Sequence, residues 1–468
     1  MKNALYIFTN DLRLDDNLAL EKASMADSIL AIFIYDTHFG EKPLGAASRL
    51  WLHYSLKDLK NQCPELSVYR GNWEETALLL VQKFSISHVF MNHHFTLTES
   101  KIIDSLKKSL QKKGCQLSTM NNSLLWEPHH VLKADGTPYR VFTPFYRKGC
   151  LFATEPSRPI DKFHASYMTD STAISIDELG LLPRHSWGNK VLQHWDISTA
   201  GGEKTLNIFL DKGIKSYKEG RNQPALDSVS RLSPYIHFGN ISIRKIWHAA
   251  KKKGNDKNID HFLSELGWRE FSYSLLHHFP KMTTENLQEK FNQFPWEFNK
   301  KYYTAWKRGL TGYPLVDAGM RELWETGYMH NRIRMVVGSF LVKNLLIDWR
   351  YGEKWFWDCL VDADIASNTA SWQWIAGCGA DAAPYFRVFN PVTQGHKFDP
   401  DGDYTLRYLP ELAKLPKKYL FSPWEAPLPI LEVAGVTLGE TYPFPIVDLK
   451  LSRENALAAF ASLKREDY

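Results

Sequence analysis

The sequence predicts an α/β domain built on a doubly wound parallel sheet, then a long connector, then an all-α domain. Three observations carry this. Over residues 1–130, short apolar runs alternate with helical patterns, the signature of strand–helix–strand units. Over residues 131–198 that periodicity weakens under repeated prolines. Over residues 199–468 the pattern is mostly helical.

Strands are expected at Ala4–Thr9, Ile29–Asp36, Leu66–Arg70, His88–Asn92 and Gln116–Met120, in short runs favouring Ile, Val, Phe and Tyr. Helices are expected between them. Ala47–Gln62 carries Leu52, Leu56 and Leu59 at helical spacing, and Ser100–Lys113 carries Ile103, Leu106 and Leu110. No GxGxxG follows the first strand, so a dinucleotide site is not expected there. Pro128, Pro138, Pro144, Pro156, Pro159 and Pro183 punctuate a connector longer than compact domains usually tolerate. Beyond it, helices are expected at Ile243–Lys252, Ile259–His277, Tyr313–Gly327, Asn331–Trp349 and Glu353–Val361. Pro400–Pro429 reads as loop-rich, and a short helix is expected near Ala456–Lys464.

The formal charge of +5 permits a polyanionic partner without requiring one. Cys63, Cys115, Cys150, Cys359 and Cys378 are scattered and lack CxxC spacing, so no disulfide framework or metal site is expected. The N-terminal apolar run is too short for a signal peptide, and no stretch reaches membrane-spanning length. A soluble, cytoplasmic monomer is expected. Eleven of the 16 tryptophans lie beyond residue 240, enough to suggest stacking or redox work on a planar ligand as well as core packing.

Several clusters place polar groups where a helix core would want aliphatic ones. Asp362, Asp364 and Asn368 recur beside Trp372 and Trp374, either as a surface face or as the floor of a polar ligand site. Ser230-Arg231-Leu232-Ser233-Pro234 is either a phosphate cradle or ordinary helix capping. Glu265, Trp268 and Arg269 share one helical turn, as a ligand wall or an amphipathic interface. Met329–Met335 (MHNRIRM) sets two arginines and an amide at a helix start.

Longer strings resolve these alternatives. GLTGYPLVDAGMRELWETGYMHNRIRM (Gly309–Met335), WRYGEKWF (Trp349–Phe356), DADIASNTASWQW (Asp362–Trp374) and DAAPYFRVFNPVTQGHKFDPDG (Asp381–Gly402) resemble the photolyase/cryptochrome family. The match is greatest to its class I cyclobutane-pyrimidine-dimer DNA photolyases. TNDLRLDDN (Thr9–Asn17) and VFTPF (Val141–Phe145) are similar too, and the resemblance covers essentially the whole chain.

The resemblance implies a folded FAD in the helical domain. Tyr217, Val229, Ser230, Arg231, Leu232 and Ser233 would meet its phosphates. Arg269, Asp362, Ala363 and Asp364 would also hold it, Asn368 would face flavin N5, and Arg334 would pair with Asp362 near the ring. A guanidinium there favours the anionic reduced flavin. Trp372, Trp349 and Trp296 would relay electrons to the photo-excited flavin. Glu265, Trp268, Asn331, Met335 and Trp374 would line a pocket for a flipped-out dimer. Glu265 would donate to a pyrimidine carbonyl from a carboxyl kept protonated by desolvation. Arg221, Arg332 and Gln394 would contact the backbone of UV-damaged DNA.

Within that resemblance, (6-4) photolyases need a histidine pair where this chain has Asn331 and Met335. Plant-type cryptochromes tend to carry Asp where this chain has Asn368, and a long tail where this chain stops at Tyr468. Both features lean toward repair over photoreception, and no nicotinamide site suggests a general flavin oxidoreductase. An antenna chromophore, methenyltetrahydrofolate or 8-hydroxydeazaflavin, stays open. The folate-type Asn-Glu pair reads Thr98-Glu99, and the deazaflavin-type arginines are missing there and at Thr9–Asn10.

Overall fold

The computed structural model describes residues 2–161, 163–183, 186–385 and 387–463. Phe386 of the Asp381–Gly402 motif and Lys464 at the end of the last expected helix lie outside the described residues. The chain forms two compact units. Unit 1 comprises Met1–Lys215, Ser230–Pro280 and Val361–Ala366; unit 2 comprises Ser216–Val229, Lys281–Leu360 and Ser367–Tyr468. These units cut across the division at residues 130 and 198 expected from periodicity. Unit 1 keeps the whole connector and recruits two later segments.

Unit 1 is built on strands β1 (Asn3–Phe8), β2 (Ser28–Tyr35), β3 (Ser67–Arg70), β4 (His88–Asn92) and β5 (Gln116–Met120). They run parallel in the order β3-β2-β1-β4-β5. The central strands are covered on both faces, which is why β1 and β2 read as continuous apolar runs. The connector adds a strand that periodicity missed, β6 (Tyr167–Met168), paired at Ile29↔Tyr167. Two residues are too few to leave a pattern.

Helices α1 (Leu18–Ala23), α2 (Ala46–Gln62), α3 (Trp73–Lys83) and α4 (Leu97–Lys112) link the strands. One core joins Leu5, Ile7, Ile32 and Val89 of the sheet to Leu80 of α3 and Leu106 and Leu110 of α4. Helix α4 begins three residues before the expected Ser100, because Thr96 Oγ1 accepts from Glu99 N at 3.3 Å and donates to the Glu99 carboxylate at 2.7 Å.

The TNDLRLDDN turn is locked by buried polar contacts. Asp16, at φ +47°, pairs with Arg244 at 2.6 Å, both nearly inaccessible, and also accepts from Ser242. Arg13 donates to the Gly239 carbonyl at 3.0 Å. Gly239 stands at φ +72°, and a Cβ there would lie 2.3 Å from the Asn10 carbonyl oxygen, so this crossing requires glycine. Two further helices of unit 1 follow, α5 (Ile243–Lys252), with the expected bounds, and α6 (Lys257–His278), capped by Asp256.

Unit 2 is helical. Its main elements are α7 (Lys300–Arg308), α8 (Pro314–Thr326), α9 (Asn331–Ser339), α10 (Trp349–Cys359), α12 (Pro391–Phe398) and α13 (Leu449–Ser462). Helix α11 (Ile365–Ala376) starts in unit 1 and lies mostly in unit 2. The single helix expected over Asn331–Trp349 is broken. After α9 the chain makes a π-helical turn (Phe340–Asn344), Leu346 takes φ +51°, and Asp348 caps a new helix by accepting from Arg350 N at 2.9 Å. Trp349 therefore begins α10 four residues before the expected Glu353. The last helix starts earlier than expected because Asp448 caps it.

The Asp16–Arg244 pair generates a stability prediction. Arg244→Met leaves Asp16 buried with its guanidinium partner gone, which costs about 3–5 kcal/mol. Urea unfolding followed by far-UV circular dichroism should show that loss; an unchanged midpoint would mean that water satisfies Asp16.

Candidate active site

On unit 1 the chemistry gathers around Asp364, a buried carboxylate. Tyr273 of α6 donates its hydroxyl to it, and His237 Nδ1 lies 3.5 Å away. Burial pushes the Asp364 carboxyl up. The nearby His237, the Arg269 guanidinium and the Tyr273 hydroxyl outweigh that and hold it well below the usual carboxylate range. Burial and the Asp364 charge push the Tyr273 phenol far up, so it stays a donor. Arg269 lies 4.8 Å over the Tyr273 ring and donates to the Ser123 carbonyl at 2.8 Å and to Glu270 at 3.1 Å.

Glu270 is buried and accepts the backbone N–H groups of Leu125 at 2.8 Å and Trp126 at 3.1 Å. Burial raises its carboxyl to about 7 despite Arg269 and those donors. On the same unit Ser233 donates to Asp362 at 2.6 Å, and Arg231 holds the left-handed φ of +52° just before this turn. The Ser230-to-Ser233 turn is thus an ordered polar turn ending in a short helix, Ser233–His237. Ala363 is buried between the two aspartates in sequence. Glu265 is a quarter exposed and stands 3.8 Å from His261, so its expected desolvation is not built into the protein alone. Trp268 stacks on Phe142 at 3.8 Å.

On unit 2 the key residue is Asn368. Its amide nitrogen donates to the Glu353 carbonyl at 3.1 Å and to the Glu353 carboxylate at 2.9 Å. Both partners are acceptors, so the amide can face them only with its NH2 group. The Asn368 oxygen is therefore turned the other way, as an acceptor. Trp372 is buried on α11, edge-on to Phe356 at 4.9 Å and to Trp306 at 6.3 Å. Gly352 makes room for it, since a Cβ there would sit 2.2 Å from the indole. Trp349 is buried and donates to Asn286 at 2.9 Å, while Trp296 is partly exposed beside Phe294. Two of the three tryptophans are thus fully interior, and Trp296 alone reaches the surface.

Unit 2 also carries Tyr217, buried, with Arg221 5.7 Å over its ring, and Val229. Arg334 donates to the Met329 carbonyl at 2.7 Å. Arg332 donates to Asn222 at 2.5 Å and lies 3.7 Å from the Met335 sulfur. Asn331 is exposed at the start of α9, and Trp374 and Gln394 are partly exposed.

Sequence reasoning missed Tyr273, His237, Glu270, Glu353 and Trp306. Glu353 sat in the open, a lone acid inside the aromatic run WRYGEKWF. The others carry no local signal, because their partners are distant in sequence. Gln373 is the reverse case. It belongs to the DADIASNTASWQW motif but acts as a strut, donating to Met282 O at 2.8 Å and Glu285 O at 2.9 Å.

At the Thr98-Glu99 loop, Glu99 faces His94 at 3.2 Å, and the Thr98 N–H donates to Glu41 at 2.9 Å. His94 also meets Thr9 at 3.0 Å, and Asn92 donates to Asn10 at 2.6 Å. These contacts join the C-terminal ends of β1 and β4, where the strand order reverses and ligands favour an α/β sheet. Among the described residues, no His, Cys, Asp and Glu group is arranged to hold a metal ion, and no helix is long and apolar enough to cross a membrane.

A model of the FAD binding domain of DNA photolyase matches residues 262–462, and a DNA photolyase model matches residues 4–161. A deoxyribodipyrimidine photo-lyase of Agrobacterium fabrum is 43% identical over 98% of this chain and 97% of its own length. Cryptochrome-2 of Arabidopsis thaliana is 36% identical over 99% of this chain and 79% of its own. The crystal structure of a bacterial class III photolyase from Agrobacterium tumefaciens superposes with TM-score 0.95 at 42% identity, covering 99% of this chain and 98% of that one.

The raised Glu270 carboxyl has a measurable consequence. The folded chain binds its proton more tightly than the unfolded chain does, so stability should fall as pH rises from 4.5 to about 7 and level off above. Asp364 has the opposite sign, and its contribution is lost only as pH drops below the ordinary Asp value of 3.8. Glu270→Gln should flatten the upper window in denaturant midpoints taken across it. A slope equal to that of the parent protein would remove Glu270 as its source.

Proposed function

The chain belongs to the photolyase/cryptochrome family, and on that footing we propose that it is a DNA-repair lyase that splits cyclobutane pyrimidine dimers under blue or near-UV light. Its cofactor is FAD, which when bound and reduced supplies the light-driven electron for ring splitting. Within the family we assign it to class III in place of the class I placement that its motifs suggested, on the strength of its superposition with a class III photolyase at TM-score 0.95 and 42% identity.

The observation that carries the repair reading is the fixed amide of Asn368. Glu353 takes its NH2 group and leaves its oxygen for a donor, which suits the N5 side of a reduced flavin. An aspartate at this position would set a second carboxylate against Glu353 in a buried place, where two like charges resist ionising together. The donor set fits the rest of the cofactor. The Ser230-to-Ser233 turn, with Tyr217, Val229 and Arg231, suits phosphates. The ionised Asp364, with Asp362 and Arg269, suits the polar edges of the nucleotide. Arg334 brings positive charge that favours an anionic ring.

For the substrate, Trp268 and Trp374 offer flat apolar walls, and Glu265 a hydrogen-bonding acid whose remaining solvent a bound dimer would displace. Asn331 and Met335 occupy the positions where (6-4) enzymes need histidines. Arg221, Arg332 and Gln394 take backbone phosphates, so affinity should fall with salt. The second reading, a blue-light photoreceptor, is favoured by the likeness to a plant cryptochrome.

One assay separates the two readings. An oligonucleotide carrying a thymine dimer should be restored by the flavin-reduced holoprotein in blue or near-UV light and not in the dark. Failure in the light with fully reduced flavin would leave the photoreceptor reading. Trp372→Phe should abolish photoreduction while sparing repair by chemically reduced protein; loss of both would give Trp372 a structural role.

A further inference from the structure

The VFTPF segment takes no part in the functions assigned so far, yet it makes the tightest ring contact on the substrate side of unit 1. Phe142 stacks on Trp268 with centroids 3.8 Å apart and planes 12° from parallel. Tyr146 continues the stack behind Phe142 at 5.7 Å and 8°. Phe271 closes the cluster edge-on, 6.0 Å from Phe142 and 5.8 Å from Trp268. Phe142 and Tyr146 are buried, whereas Trp268 keeps some exposure.

Two further features fasten this segment to α6. Gly267, next to Trp268, has no side chain, and a Cβ there would lie 2.4 Å from the Tyr146 ring. Only glycine allows the segment to come this close. In the same π-helical turn, Phe145–Gly149, Arg147 next to Tyr146 forms a two-pronged pair with Asp260 of α6 at 2.7 and 2.5 Å.

We infer that Phe142 is a positioning residue for the pyrimidine dimer: it covers one face of Trp268 and fixes the indole so that only its other face can receive the lesion. This rests on the proposed reading of Trp268 as a wall of the dimer pocket. A ring already clamped loses little freedom when the dimer arrives, so the backing raises affinity without touching the ligand. It also makes the wall one-sided, which suits a pair of pyrimidines laid against it and excludes a base inserted behind it.

The test uses the FAD-loaded holoprotein with Phe142→Leu, Phe142→Tyr, Gly267→Ala and Trp268→Ala. Leucine keeps bulk and removes the flat ring. Phe142→Leu should raise the Kd for dimer-containing DNA about three- to tenfold, the scale of one aromatic pair. Its Kd for undamaged DNA, its flavin photoreduction and its repair rate at saturating DNA should stay unchanged. Phe142→Tyr should bind the dimer as the parent protein does, and Gly267→Ala, which pushes the segment away, should behave like Phe142→Leu. If Trp268→Ala leaves dimer affinity intact, the reading of Trp268 is wrong and the inference falls with it. If Trp268→Ala weakens binding but Phe142→Leu does not, the inference alone fails. Equal losses for damaged and undamaged DNA, or a loss of photoreduction in Phe142→Leu, would make Phe142 a packing residue and overturn its positioning role.

Discussion

Asp364 is an ionised carboxylate nearly sealed from water, and the polar arrangement of unit 1 near the flavin motif follows from keeping it so. An isolated charge at that depth would neutralise. Tyr273, His237 and Arg269 prevent this, and each comes from a different stretch of chain or a different turn of α6. The requirement explains why a six-residue segment, Val361–Ala366, returns to unit 1 from within helical sequence. It also explains why α6 carries Arg269 and Tyr273 one turn apart on a buried face. The charge is not there for stability alone, since apolar packing would serve as well or better. A fixed anion among fixed donors gives a polar ligand a defined partner.

The same logic governs the N-terminal turn. Asp16 and Arg13 are buried and draw partners from Gly239–Arg244, so the conformation of the loop after β1 depends on that segment. A Rossmann-type fold would use this loop for a phosphate. Here the buried ion pair and the close approach of Gly239 occupy it, and the absence of GxGxxG follows from that use.

The sheet was legible because its strands are short apolar runs bounded by turns. Three of the five expected strands fall within one residue at each end, and the other two, β4 and β5, have identical bounds. The two-residue strand β6 was illegible because pairing there depends on the connector's path and on no pattern of its own. The break after α9 was illegible for a related reason: Leu346 takes a left-handed φ that nothing in LLIDWR announces, although Asp348 before an apolar run is a recognisable cap. In the candidate site, residues inside long motifs were named from resemblance. Their orienting partners emerge only from hydrogen bonds across 15 and 91 residues, to Glu353, itself a member of the WRYGEKWF motif, and to Tyr273, which lies in none. Motif membership also overstated function. Asp317 in GLTGYPLVDAG anchors Thr311 N at 2.7 Å, Gly312 N at 3.0 Å and the Tyr442 hydroxyl at 2.7 Å, and so braces a turn.

Glu353 sharpens what an amide at position 368 means. Alone, Asn368 is a neutral group able to donate or accept. With its NH2 group held by two oxygens of Glu353, it becomes a one-way acceptor, and its neutrality becomes a requirement of its neighbour. Replacing it by a carboxylate would set two buried acids against each other and remove the amide whose N–H groups Glu353 accepts. Asn368 and Glu353 therefore have to be read as a single unit.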